Sequence, residues 1–181
     1  MSQLIKKILF IVNPISGKGK QKNIASLIER YLDKDKFSFE LKFTTHQNHA
    51  REIILKQQDY FDILIAVGGD GSVNQIGTLL INSQVVFGII PAGSGNGLAR
   101  HLNIPINFKG AIEVINSHRE PMKIDVAKIN EKYFLSTAGT GFDAHVAWKF
   151  STSNTRGFLT YAKITLRELF KYKIKKYELM F

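Results

Sequence analysis

Three short runs, KILFIV (7–12), DILIAV (62–67) and VVFGII (85–90), are apolar almost throughout, and each is shorter than a core helix. A strand that is apolar on both faces must be covered on both faces, which is the condition of an inner strand in a parallel sheet. The segments between them have helical spacing. KNIASLIERYLDKD (22–35) places Ile24, Leu27, Ile28, Tyr31 and Leu32 on one stripe, and HAREIILKQQ (49–58) and VNQIGTLLIN (73–82) also read as helices. FSFELKFTT (37–45) instead alternates Phe37, Phe39, Leu41 and Phe43, the pattern of a half-buried strand. The order β-α-β-α-β-α-β predicts an α/β fold, a parallel sheet covered by helices.

Such sheets bind ligands at the carboxyl ends of their strands. The turns expected there are NPISGKGK, TTHQNH, GGDGS and PAGSGNGLAR, and three of the four are rich in glycine. Glycines let backbone N–H groups approach a ligand closely, and each following helix offers a positive amino terminus, so this edge reads as an anion site. Lysine and arginine number 25 against 15 acids, a formal +10, which favours anionic partners. The standard nucleotide motifs are absent: SGKGKQK is not a Walker A loop, and GSGNGL lies in the fourth turn, not the first. His46, His49, His101, His118 and His145 have no metal-ligand spacing, so no metal ligands are assigned and all five are read as surface histidines. There is no cysteine, which excludes disulfide and thiol chemistry.

GAIEVINSH (110–118) reads as a last helix, broken by Pro121, and after it the texture changes. MKIDVAKINEKYFLSTAGTGF reads as two strands joined at Asn130-Glu131, followed by a helix over DAHVAWKF and a basic one over GFLTYAKITLRELFKYK. KKYELMF reads as a strand beginning to form, so the chain is expected to be a fragment of a longer protein. Glu168 and Glu178 read as ordinary acids in basic surroundings. The expected domains are 1–122, binding nucleotide, and 123–181, an incomplete β-rich domain. The apolar runs are too short for a signal core or a spanning helix, so a cytoplasmic location is expected. The basic helix leaves two readings open, peripheral contact with an anionic membrane or packing on the second domain.

NPISG, GGDGSVNQ and PAGSGNGLAR, in this order within residues 6 to 145, together resemble the catalytic domain of the diacylglycerol kinase and sphingosine kinase family, including its bacterial lipid kinases. The resemblance implies a kinase that uses ATP and Mg²⁺ to phosphorylate a lipid hydroxyl, on diacylglycerol or a sphingoid-like base. It implies a three-layer phosphofructokinase-like nucleotide domain and a β-rich domain around the lipid. By the same resemblance Asn13, Pro14, Ile15, Ser16 and Gly17 line the nucleotide, with Thr44 near the phosphates or ribose. Gly69, Asp70, Gly71, Ser72, Val73, Asn74 and Gln75 hold the phosphates, and Ser94 offers a hydroxyl where the family usually has threonine. Asp70 is the catalytic candidate, acting through a metal-bound water or on the attacking hydroxyl; a helix cap or Asx-turn is its structural alternative. Asn74 either caps the turn or bonds the nucleotide, and Arg100 either faces phosphate or pairs on the surface. The family's aspartate after Asn96 is Gly97 here, and the general base is expected outside the chain. An NAD kinase-like enzyme and a non-catalytic nucleotide-binding module stay open as alternatives. The basic residues form no recognisable nucleic-acid module, and no oligomeric state is assigned.

Overall fold

The computed structural model describes residues 4–16, 21, 23–117, 119–153, 155, 157–173, 175–176 and 178. The chain divides into two compact units, Met1–Ser136 and Thr137–Phe181. The first unit runs β1 (Lys6–Val12), α1 (Ile24–Tyr31), β2 (Phe37–Phe43), α2 (His49–Gln57), β3 (Ile63–Gly68), α3 (Asp70–Gly77), β4 (Val86–Pro91), α4 (Gly97–His101) and α5 (Phe108–Asn116), then a hairpin of β5 (Ala127–Ile129) and β6 (Lys132–Phe134). Four strands form one parallel sheet in the order β2-β1-β3-β4. Successive side chains of β1 point to opposite faces, and both faces are covered. Ile8, Phe10 and Val12 pack in one apolar cluster with Ile24 and Ile28 of α1 and Ala111 and Ile112 of α5. Leu9 and Ile11 pack in another with Ile53 and Ile54 of α2 and Val73 and Ile76 of α3. The result is three layers; KILFIV and DILIAV are inner strands as their composition requires, whereas VVFGII, expected to be inner as well, forms β4 at one edge of the sheet, where only its carboxyl half is buried. β2 lies at the sheet's edge, which is why it alternates.

Several boundaries differ from the sequence expectation. α1 stops at Tyr31, because Leu32 turns extended (φ −73°, ψ 135°) before the charged Asp33–Lys36 turn. α3 starts at Asp70, three residues earlier than its apolar spacing suggests. Gly69 is extended ahead of it, and the Val73 N–H closes its first turn on the Gly69 carbonyl. α3 gives way at Thr78 to a single 3₁₀ turn, Thr78–Leu80, where the Thr78 hydroxyl bonds back to the Asn74 carbonyl at 2.8 Å. α4 has no periodic stretch to announce it. The hairpin forms where expected, with Asn130 in the left-handed region at φ 50°, but each strand is only three residues long. Lys175, Lys176 and Glu178 are not strand; the rest of the expected last strand, with His118, lies outside the described residues. No helix among the described residues is long and apolar enough to cross a membrane.

The second unit contains α6 (Phe142–Ser151) and α7 (Phe158–Leu169). Their polar link corrects two expectations. His145 is not a surface histidine: its Nε2 lies 2.6 Å from Glu168 Oε2, and Tyr172 and Trp148 stand beside its ring. Glu168 is likewise no ordinary acid, being 9% exposed. The hydrogen bond from His145 holds the Glu168 carboxyl below its usual range; burial opposes this, and the charges of Lys149, His145 and Arg167 reinforce it. A carboxylate with a depressed folded pKa stabilises the fold above its unfolded value, about 4.3, and that stabilisation is lost as pH falls through the folded value. Trp148 is the only tryptophan and sits beside the pair. Its fluorescence should therefore change on acidification below about pH 4.3, the unfolded glutamate value, and Glu168→Gln should flatten that acid limb. An unchanged limb in the variant assigns the transition to other carboxylates.

Candidate functional site

Because the sheet is parallel, the ends of β1, β2, β3 and β4 share one edge, and the turns after them gather there. β2 lies on one side of β1 and β3 on the other, so the strand order reverses between β1 and β3. The helices that follow these two strands cover opposite faces, which opens a crevice at the edge. Asn13 crosses it. Its N–H extends the ladder to the Val67 carbonyl at 3.0 Å, and its Nδ2 donates to Ser72 Oγ at 2.9 Å. Its Oδ1 accepts the Ile15 N–H, and its carbonyl accepts the Ser16 hydroxyl. The buried Gln21 amide donates to both the carbonyl and the hydroxyl of Ser16 and so supports the loop from beneath. Pro14 and Ile15 are left exposed at the rim.

The third and fourth turns are joined by the acid between the glycines. Asp70 Oδ2 accepts the Asn96 N–H at 2.9 Å, and Oδ1 accepts the Gly97 N–H at 2.6 Å. These two donors stand at the start of α4, where an anion is favoured by the unpaired amides. Asp70 therefore caps a neighbouring helix, not its own. The backbones meet beside it. A Cβ on Gly93 would lie 2.5 Å from the Gly69 Cα and 2.9 Å from Asn96 Oδ1, so glycine is obligatory there. Asn96, buried and left-handed at φ 55°, closes the turn by bonding both the N–H and the carbonyl of Gly93. Arg100 Nε bonds the Gly95 carbonyl at 3.0 Å, so it braces the turn from its own helix.

The remaining expected residues gather at the same edge. Thr44 bonds the Val12 carbonyl through its N–H at 2.9 Å, and Gln75 donates to the Gln47 carbonyl, tying the second turn to α3. Ser94 is exposed. Gly71 is open, with nothing within 4 Å of an added Cβ. Val73 turns its side chain into the core, and Gly17 lies outside the described residues. Asn74 bonds the Leu135 N–H through Oδ1 at 3.0 Å. Sequence reasoning missed the amides of Asn96 and Gly97, the support from Gln21, and Leu135. Only the Asn-Gly pair at 96–97, a left-handed turn signal, pointed to any of them. A hollow of about 490 Å³ lined by Lys7, Phe39, Tyr60 and Phe61 lies at the opposite end of the strands, away from these groups.

Residues 7–129 match the family model described as the diacylglycerol kinase catalytic domain. The chain belongs to that family. Over 150 residues it is 32% identical to a diacylglycerol kinase of Bacillus subtilis, an alignment covering 76% of this chain and 46% of that one. It is 30% identical over 165 residues to an uncharacterized protein of Synechocystis sp., covering 83% and 38% respectively. A crystal structure of a diacylglycerol kinase from Bacillus anthracis superposes with a TM-score of 0.60 at 29% identity, over 72% of this chain and 46% of that one. The chain thus spans about half the length, or less, of these relatives. The integrity of the edge that these glycine turns form is testable. Gly93→Ala should destabilise the fold by about 2–3 kcal/mol in a urea titration, the cost of overpacking against backbone that has no room to move. Asp70→Asn should cost about 1–3 kcal/mol, because one of two amides loses its acceptor. Equal midpoints for wild type and both variants would show that the two turns do not depend on these contacts.

Proposed function

We propose that the carboxyl-edge turns bind the triphosphate of ATP, and that this chain is the nucleotide-binding part of a lipid kinase acting on the hydroxyl of diacylglycerol or a sphingoid-like lipid. The observation that carries the reading is the Asp70 clasp, which brings the α3 and α4 turns together beside the crevice between β1 and β3. The donors present suit a polyphosphate. Among the described residues no side chain caps the amino terminus of α3, and the amides of Asp70, Gly71 and Ser72 have no partner within the helix. Gly71 leaves open space above them, and the hydroxyls of Ser72 and Ser94 stand nearby in the same turns. Phosphoryl transfer depends on positioning and charge neutralisation, so backbone donors on a rigid edge can do much of it.

ATP supplies the transferable phosphoryl group, and Mg²⁺ offsets its charge. Magnesium in kinase sites takes one or two carboxylates together with phosphate oxygens, and Asp70 fits that requirement. Among the described residues each of its oxygens accepts one amide, which leaves a lone pair on each for another partner. Asp70 is therefore placed to meet the cation or to orient the lipid hydroxyl, and Thr44 and Asn13 stand by to position the nucleotide. The names of the relatives support the lipid as acceptor, and contact with an anionic membrane follows from where such a substrate resides.

Calorimetric titration of the 181-residue chain with ATP, with and without Mg²⁺, tests the nucleotide reading. Binding that requires Mg²⁺ is expected. Gly71→Ala should keep the wild-type melting curve and lose about tenfold in affinity, roughly 1.4 kcal/mol, because its methyl group enters the space assigned to phosphate. The absence of binding by the folded wild type would rule the reading out. The acceptor is tested with γ-labelled ATP and a panel of lipids, where label should enter a lipid hydroxyl and not NAD.

A further inference from the structure

We infer that Asn74 couples the phosphate turn to the β5–β6 hairpin, its carboxamide oxygen holding the backbone of Leu135 and its NH₂ left for the nucleotide; the nucleotide half of this inference rests on the proposed function above. The oxygen's role is fixed by chemistry. The Leu135 N–H is a donor only, so the atom facing it at 3.0 Å must be Oδ1. Among the described residues no hydrogen bond occupies Nδ2. Asn74 sits one turn into α3, whose amino terminus carries Asp70 and Gly71, so a single side chain faces two needs.

The hairpin depends on this point. Ala127–Ile129 and Lys132–Tyr133 are exposed, and a two-stranded ribbon of three-residue strands has little stability of its own. Leu135 is its buried anchor, 9% exposed and packed in the cluster with Val73 and Ile76 of α3, with the partly buried Val126 beside it. Glycine at position 77 makes the space: a Cβ there would run into Leu135 Cδ1 and the Phe87 ring. The next residue closes on the clasp itself. A Cβ at Gly97 would be 3.5 Å from Ser136 Oγ and 3.6 Å from Asp70 Oδ1. Residues 135 and 136 thus lie against the two turns assigned to phosphate, and Ser136 is the last residue of the first unit. A nucleotide that engages Nδ2 fixes the Asn74 rotamer and tightens the Leu135 bond; by reciprocity, a docked hairpin favours nucleotide binding.

Amide hydrogen exchange of the full 181-residue chain, resolved at Leu135 and referenced to Ile65 in β3, reads both halves. Without nucleotide, Asn74→Leu should speed Leu135 exchange about tenfold, the order expected for one amide hydrogen bond, and leave Ile65 unchanged. Asn74→Asp keeps an acceptor oxygen and should stay within about threefold of wild type in the same hydrogen-bond measurement. MgATP should slow Leu135 exchange in the wild type but not in Asn74→Asp, whose carboxylate repels phosphate where an amide would donate. Unchanged Leu135 exchange in Asn74→Leu overturns the strut. If Asn74→Leu does not fold, Asn74→Asp decides the coupling: wild-type MgATP affinity with intact slowing at Leu135 overturns it. Wild-type chain that binds MgATP by calorimetry with no change at Leu135 also overturns the coupling. A wild type that binds no MgATP defeats the nucleotide reading and the coupling together, while the apo comparison still judges the strut.

Discussion

The Asp70 carboxylate is the interaction on which the rest of the edge depends. Two turns separated by 26 and 27 residues meet because one acid accepts the amides of both Asn96 and Gly97. Hydrogen bonds to an ionised acceptor are about twice as strong as neutral ones, and here they satisfy the amides of a helix only five residues long. α4 is too short to hold itself in place by propagation of its own hydrogen bonds. Its start is held by Asp70 in front and by Asn96, which grips Gly93 from both sides. The close approach of Gly69 and Gly93 then follows, since any side chain at either position would separate the turns that the acid draws together.

The sheet decides where such a clasp is useful. With the order β2-β1-β3-β4, the chain leaves β1 toward one face and β3 toward the other, so the backbone diverges at their carboxyl ends. Asn13 spans that divergence by bonding Ser72. Beneath it β1 and β3 are sealed by apolar layers, with Ile8–Val12 no more than 1% exposed. Polar groups that cannot be buried are thereby concentrated at the rim. A rigid apolar platform under uncapped amides is an arrangement that binds charge without having to reorganise for it.

The layers were legible because burial on both faces leaves a mark in composition. KILFIV and DILIAV could hardly be anything but inner strands, and FSFELKF announces an edge by alternating. What escaped is what periodicity does not encode. α3 begins at Asp70, but Asp-Gly-Ser reads as turn chemistry, which places the acid before the helix and not at its first position. The Asn74–Leu135 bond joins a side chain to a backbone amide 61 residues away, and a backbone donor has no residue type to recognise. His145 and Glu168 are each unremarkable on their own helices; only the packing of α6 on α7 makes them a half-buried, hydrogen-bonded pair. The turn residues Asn13, Ser72, Asp70 and Gln75 were legible as members of one edge, though not as partners of the groups they actually bind.

Gly97 shows how one position can serve the clasp by carrying no side chain. The family resemblance leads one to look for an aspartate there. A Cβ would find ordinary contact distances, 3.5 Å to Ser136 Oγ and 3.6 Å to Asp70 Oδ1, so sterics do not demand glycine. Charge is the stronger consideration. A carboxylate at 97 would stand close to Asp70 and repel it, an arrangement tolerable only with a cation between the two acids. With glycine, the 97 amide donates to a single carboxylate, and Asp70 holds the turns together whether or not a cation is bound. The turns of this edge are accordingly held together by hydrogen bonds between protein groups, with Asp70 and Asn96 at their centre.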